Sequence, residues 1–338
     1  MSGMAPPPLH VMTAAEVSRV VEGDRQGALD AVRGAYLAHH RGDTVNPHSS
    51  FLRFPRRERD RIIALPAYLG DQQEVAGIKW IASWPGNTAQ GIPRASAMLI
   101  LNDMATGYPY AMLESSIVSA TRTAASAVLA AEELLGGREA KRVGFIGTGL
   151  IAEHVRRFLR DLDWRIGSYR LFDLDPAAAA RFGETIGTDG GAEARVSEDA
   201  AGAFADADLV VIATVAGEPH LVDPDLLAQA PVVLHLSLRD LSPELILAST
   251  NVTDDADHAV RERTSLHLAE QRTGNRTFVH GTIGEVLDGT LRPVPGRATV
   301  FTPFGLGVLD LAVGRWVHDR LTAQGGGLPI PGFFDATE

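Results

Sequence analysis

The feature that most constrains this chain is a short apolar run, Arg142-Val143-Gly144-Phe145-Ile146, that ends in Gly147-Thr148-Gly149-Leu150-Ile151-Ala152 and opens a helical pattern. A strand feeding a helix through G-x-G-x-x-A is the physical recipe for a dinucleotide site. The first glycine takes the tight turn and the second lets backbone approach a pyrophosphate. The alanine lets the helix lie close on the strand, so that phosphates meet the free N–H groups of the helix start. The cradle is then the backbone of Gly147, Thr148, Gly149, Leu150 and Ile151. Glycine pairs also mark ordinary turns, so the surroundings decide. A second apolar run, Tyr169-Arg170-Leu171-Phe172, ends at Asp173, 21 positions past Ala152. That is where a ribose-binding acid is expected.

Cofactor choice follows from what comes next. A 2′-phosphate needs a nearby cation, yet Asp173 is followed by Leu174, Asp175 and Pro176, and the first close arginine is Arg181. The reading is therefore NAD rather than NADP, with Asp173 on the ribose and Asp175-Pro176 capping the next helix.

With 338 residues the chain suggests two domains. A net charge of −11 argues against nucleic acid or an anionic membrane as partner. The absence of cysteine excludes disulfides, thiolate nucleophiles and Cys-based metal sites. Met1 to His10 is Pro-rich without a basic start and apolar core, and no apolar run of about 18 residues follows, so a cytoplasmic location is the default.

Before the glycine motif, Thr13-Ala14-Ala15-Glu16 is a capping box, and Asp24 starts a helix whose Ala28, Val32, Ala35 and Tyr36 share a face. Strand-like runs at 48–54, 61–69, 74–83, 95–101 and 108–113, separated by Pro, Gly, Asn and Asp, suggest an antiparallel meander. Ser116 to Leu135, closed by Gly136-Gly137, reads as a long helix bridging two domains. From Arg142 strands and helices alternate, with runs near 142–146, 168–173, 192–196, 208–213 and 231–236. This is an α/β pattern, a Rossmann-type doubly wound parallel sheet. Thr214 and Val215, and Ser237 after the next strand, should then lie beside the cofactor. Residues 254–276, of mixed charge, read as a solvated helix and loop. Gly305 to Leu321 reads as a helix returning to the first domain. The expected division is 1–135 plus 305–338, an α+β antiparallel-sheet domain, and 136–304, the nucleotide domain.

Gly77-Ile78-Lys79, Pro85-Gly86-Asn87, Asp103 with Thr106-Gly107-Tyr108-Pro109, and Thr121-Arg122-Thr123-Ala124-Ala125 precede the glycine motif in order. With them the chain resembles the ornithine cyclodeaminase and mu-crystallin family over nearly its whole length. Pro47-His48 through Pro55, Ile92-Pro93-Arg94-Ala95-Ser96-Ala97, His235-Leu236-Ser237-Leu238-Arg239-Asp240, and Pro303-Phe304-Gly305 through Leu311 are similar to one branch. That branch oxidises N-(2-amino-2-carboxyethyl)-L-glutamate with NAD, and hydrolysis of the imine gives 2,3-diaminopropionate and 2-oxoglutarate for siderophore or antibiotic pathways. Its substrate comes from a pyridoxal-phosphate enzyme acting on phosphoserine. The alternatives are an ornithine cyclodeaminase, a cyclic-imine reductase, or a crystallin-like protein that binds nucleotide without turnover.

The resemblance implies roles for Lys79, Arg122 and Asp240. Lys79 interrupts an apolar run and can orient a carboxylate or shuttle a proton; otherwise it is an outward lysine on a half-exposed strand. Arg122, near the start of the Ala-rich helix, grips an α-carboxylate or makes an interdomain ion pair. Asp240 takes a proton from amine or water, or else caps the helix after it, for which Ser242 is the better cap. The family's additional carboxylate-binding arginine has no obvious counterpart. His48 stands at its position, Arg53 is the nearest arginine and would point to the opposite strand face, and Arg94 is a further clamp for a substrate with three carboxylates. His235 reads as a hydrogen-bonded core histidine. No metal-ligand spacing or nucleophile elbow is present. A homodimer built on the antiparallel domain is implied by the resemblance.

Overall fold

The computed structural model describes residues 6–70 and 74–335. Met1 to Ala5, the start of the segment read for a leader, lie outside the described residues. The chain begins with β1 (Leu9–Met12), α1 (Ala14–Gly23) and α2 (Arg25–His40). Thr13 and Glu16 form the expected reciprocal capping box, and Asp24 accepts the Gly27 N–H to start α2. β2 (Thr44–Val45), β3 (Ser50–Phe54), β4 (Arg57–Leu69), β5 (Val75–Ser83), β6 (Ala95–Asn102) and β7 (Pro109–Glu114) follow, and β4 to β7 are the antiparallel meander. His48 lies in the connection before β3, not in a strand. α3 (Ser116–Leu135) has the expected bounds and ends at Gly136, whose φ of 75° only glycine takes readily.

From there strands and helices alternate. β8 (Glu139–Ile146), α4 (Leu150–Asp161), β9 (Arg165–Phe172), α5 (Pro176–Thr188), β10 (Glu193–Val196), α6 (Ala200–Phe204), β11 (Leu209–Ile212) and β12 (Val232–His235) cover the runs read from the sequence. α7 (Pro243–Ala248), β13 (Thr250–Thr253), α8 (Ala256–Ala259), α9 (Ser265–Thr273), β14 (Val279–Thr282), α10 (Ile283–Leu287) and β15 (Thr299–Thr302) add three strands that were not expected. All eight strands pair in parallel in the order β10-β9-β8-β11-β12-β15-β13-β14. The chain reverses its winding between β8 and β11, the switch point beside whose strand ends ligands bind in open α/β sheets. Val143, Phe145, Val210, Ile212, Val233 and Val300 are wholly buried, as central strands covered on both faces require. Segment 254–276 is less solvated than its charges suggest. Asp254 is buried and accepts the main-chain N–H groups of Phe304 and Gly305.

The chain ends with α11 (Gly307–Ala323) and β16 (Leu328–Ile330). α11 packs on α2 and on β4, β5 and β6, while β16 pairs with β1, which itself runs parallel to β7. The compact units are Met1–Arg122 with Leu306–Glu338, and Thr123–Gly305. The division between Arg122 and Thr123 falls inside α3.

Candidate active site

In the second unit, the loop between β8 and α4 fits a pyrophosphate. Gly147 sits at φ 84°, and a Cβ there would stand 2.5 Å from the Ala213 carbonyl oxygen. At Gly149 a Cβ would meet nothing within 4 Å. The glycine is free of internal packing demand, leaving open space over the N-terminus of α4, whose cap position carries no side-chain hydrogen bond. Ala152 is fully buried. Asp173, just past β9, accepts the Thr148 N–H at 2.7 Å and the Thr148 hydroxyl at 2.9 Å. Burial pushes its carboxyl up, but the N–H groups of Asp175 and Thr148 outweigh this and hold it below its ordinary value. Asp175 caps α5 through Ala177, with Pro176 at the first helical position. Leu150 and Val215, beyond the C-terminal ends of β8 and β11, are exposed, and Ile151 is half-buried.

Asp240 follows β12 in a tight turn where Leu238 takes a left-handed φ of 73°. Ser242 caps α7, so Asp240 is released from that duty. Its side chain has no exposed surface, and four groups converge on its two oxygens. The hydroxyls of Thr214 and Ser237 donate to Oδ1 and Oδ2 respectively. His220 Nε2 lies 3.1 Å from Oδ1, and His235 Nε2 lies 3.2 Å from Oδ2. Burial raises this carboxyl, yet the hydrogen bond and coulombic pull of His235, with the hydroxyls of Ser237 and Thr214, drive it far below the usual carboxylate range. His235 is wholly buried, the hydrogen-bonded core histidine expected.

In the first unit, Lys79 on β5 is 2% exposed. Its Nζ donates to Asp310 Oδ2 at 2.7 Å and to the Ser119 hydroxyl at 3.2 Å. Arg122 lies one helical turn beyond Ser119, with Nε 3.5 Å from Asp310 Oδ1. The ion pair of Arg122 therefore lies within its own unit, through a residue of α11. Burial pulls the Lys79 ammonium down to about 8, against the opposing pull of Asp310 and helped by the charge of Arg122.

The other cations are placed by strand register. Arg53 pairs with Arg61, Arg61 with Ser83, and Ser83 stands four residues along β5 from Lys79. Residues directly opposite in a ladder share a face, as do residues two or four apart in a strand. Arg53 and Arg61 thus lie on the face that carries Lys79, and Arg94 Nε donates to the Ser83 hydroxyl at 3.3 Å. The expectation that Arg53 points to the opposite face counted strand parity from His48. Because His48 is outside the strand, exposed in the connection, that parity does not apply. Sequence reasoning also passed over Asp310 and His220. Asp310 lies inside the segment Pro303 to Leu311, but nothing local to it or to Lys79 signals their pairing. His220 reaches Asp240 because a bridge between Leu221 and Leu241 ties the two loops together.

No group of three or more potential metal-ligating His, Asp or Glu side chains occurs among the described residues. No helix among them is long and apolar enough to cross a membrane.

A doubly wound parallel sheet with a glycine cradle at its switch point, together with an antiparallel sheet whose buried lysine pairs with an aspartate of the last helix, defines a two-unit α/β protein of dinucleotide-binding architecture. The chain belongs to the ornithine cyclodeaminase/mu-crystallin family, whose sequence model matches residues 10–325. It is similar to the N-((2S)-2-amino-2-carboxyethyl)-L-glutamate dehydrogenase of Staphylococcus aureus, 29% identical over 88% of this chain and 90% of that protein. It is also similar to the alanine dehydrogenase of Archaeoglobus fulgidus, 27% identical over 96% of this chain and 98% of that protein. A solved archaeal alanine dehydrogenase dimer with bound NAD superposes with a TM-score of 0.84 at 26% identity, covering 96% of this chain and 99% of that one. The family resemblance read from the sequence and the expected fold class are borne out.

Proposed function

We propose that the protein is an NAD-dependent oxidoreductase of amino acids that oxidises N-(2-amino-2-carboxyethyl)-L-glutamate, and that hydrolysis of the resulting imine releases 2,3-diaminopropionate and 2-oxoglutarate. The observation that carries the reading is the set of cations on one sheet face, Lys79, Arg53 and Arg61, with Arg94 bonded to Ser83 of that face. Three carboxylates suit it better than the single one of alanine or ornithine. The Staphylococcus aureus relative, named for this substrate, supports the same reading.

NAD is the cofactor, and when bound it supplies the hydride acceptor. Gly147, Thr148, Gly149, Leu150 and Ile151 hold its pyrophosphate, Asp173 its ribose, and Thr214, Val215 and Ser237 line its nicotinamide end. Arg122 grips a carboxylate with its planar fork, and Lys79 orients another. The Asp240 cluster receives the proton. The first unit serves substrate binding and dimerisation, the second NAD binding. The half-exposed apolar face of β5 and β6, with Trp80 46% and Met98 43% exposed, is the surface on which a second copy would pack. A pyridoxal-phosphate synthase using phosphoserine is the expected supplier of substrate.

Absorbance at the reduced-nicotinamide band tests this with purified protein, NAD and N-(2-amino-2-carboxyethyl)-L-glutamate, alongside ornithine and alanine. Stoichiometric NADH with 2-oxoglutarate supports the reading. Proline and ammonia from ornithine without net NADH, or NADH from alanine alone, moves the chain to another member activity of its family. Silence with all three removes the proposed substrate.

A further inference from the structure

Asp240 cannot meet a substrate directly, because its side chain has no exposed surface and both oxygens are occupied. Whatever proton leaves the substrate must pass to one of its partners. His235 is equally sealed, and the hydroxyls of Thr214 and Ser237 already donate to the carboxylate. His220 differs, since 42% of its side chain is exposed. Its backbone N–H donates to the Asp240 carbonyl at 2.9 Å, as does that of Leu221, so the histidine is held in fixed register with the aspartate. An ionised carboxylate only accepts, so the ring nitrogen facing it, Nε2, carries the hydrogen and Nδ1 keeps its lone pair.

We propose that Nδ1 of His220 is the base that takes the proton from the substrate's amino nitrogen, and that Asp240, behind it, fixes the imidazole's tautomer and balances the imidazolium that forms. The inference rests on the proposed amine oxidation. In that reaction the secondary ammonium gives a proton to Nδ1, the Cα–H bond pair leaves as hydride to oxidised nicotinamide, and the nitrogen lone pair closes the C=N bond. Water then adds to the carbon and the C–N bond breaks, giving amine and 2-oxo acid. The arrangement follows the logic by which a buried aspartate orients a histidine base in acyl-transfer enzymes. Imidazole is the commonest general base in proton transfer, whereas a carboxylate held as low as that of Asp240 is a poor proton acceptor near neutral pH.

The test compares wild type, His220→Gln and His220→Ala, measuring NADH formation, KM for the amino-acid substrate and Kd for NAD, with thermal melting to establish folding. His220→Gln should lower kcat about a hundredfold or more while KM and the NAD Kd stay within about threefold, since base catalysis contributes on that scale. Imidazole added to His220→Ala should restore rate in proportion to its concentration. A wild-type rate in His220→Gln, or a loss confined to NAD affinity, overturns the inference alone, as does a folded His220→Ala deaf to imidazole. A wild type that forms no NADH from any amino acid overturns the reading beneath it instead.

Discussion

Lys79 Nζ and Asp310 Oδ2 lie 2.7 Å apart although 231 positions separate them in the chain, and both side chains are buried. The pair joins β5 to the first turn of α11, so the last helix completes the surroundings of a residue on the central meander. A buried ion pair seldom contributes net stability, but removing one partner strands the other charge in a low-dielectric interior. Asp310→Asn is therefore expected to cost about 3–5 kcal/mol, read as a lower urea midpoint at unchanged slope. Replacing both partners, as in Lys79→Met with Asp310→Leu, should recover most of that stability while leaving turnover abolished. A double variant no more stable than Asp310→Asn would contradict this account.

The position of Lys79 near 8 makes a prediction about anion binding. As pH rises through about 8 the native ammonium becomes neutral, and its attraction for a carboxylate disappears. Affinity for 2-oxoglutarate, followed by calorimetry, should be flat below that point and fall above it. In Asp310→Asn the fall should begin at lower pH, because Asp310 is what pulls the value up. Stability moves the opposite way. The native state sheds this proton before the unfolded chain, whose lysine titrates near 10.4, so this group makes folding more favourable as pH rises between the two values. A 2-oxoglutarate affinity independent of pH up to about 9.5 would remove Lys79 from carboxylate binding.

Local signals carried the parts of this fold that are set by local physics. The capping box at Thr13, the α3 span Ser116–Leu135 and the turn at Gly147 each depend on residues within a few positions of one another. β13 to β15 were missed because Thr250-Asn251-Val252-Thr253, Val279-His280-Gly281-Thr282 and Thr299-Val300-Phe301-Thr302 are four residues long and rich in polar side chains. Burial between parallel neighbours makes β13 and β15 strands, and pairing with β13 makes β14 one at the sheet's edge, which are tertiary effects. The site divides in the same way. Asp173 and Asp240 stand at strand ends that periodicity locates. Asp310 and His220 enter through packing across 231 and 20 positions, and Arg53 through a ladder register that no count along one strand reveals.

The two glycines of the cradle should separate folding from binding. Gly149→Ala adds a methyl group into open space at an ordinary backbone angle, so the melting temperature should stay within about 2 °C of wild type, a loss under about 1 kcal/mol. NAD affinity should nonetheless drop tenfold or more, because the methyl occupies the approach of the pyrophosphate. Gly147→Ala forces a side chain into the left-handed region 2.5 Å from the Ala213 carbonyl oxygen, and should lose stability and NAD affinity together. Equal behaviour of the two variants would mean that the loop is not the phosphate cradle.

Asp173 accepts from both the amide and the hydroxyl of Thr148, so its carboxylate is fixed at the end of β9 and ionised well below neutral pH. A fixed negative charge there accepts ribose hydroxyls and repels a 2′-phosphate, and the first arginine to follow it is Arg181, which itself faces Asp175 at 3.5 Å. Asp173→Ser should remove both effects. Steady-state kinetics are expected to show KM for NAD rising about tenfold or more and KM for NADP falling, with kcat nearly unchanged because the chemistry lies at the other end of the dinucleotide. Adding Leu174→Arg, at a position 92% exposed, should strengthen NADP further by supplying the missing cation. If Asp173→Ser leaves the ratio of kcat/KM for the two cofactors unaltered, Asp173 serves only to brace Thr148, and the preference for NAD must be set elsewhere in the loop.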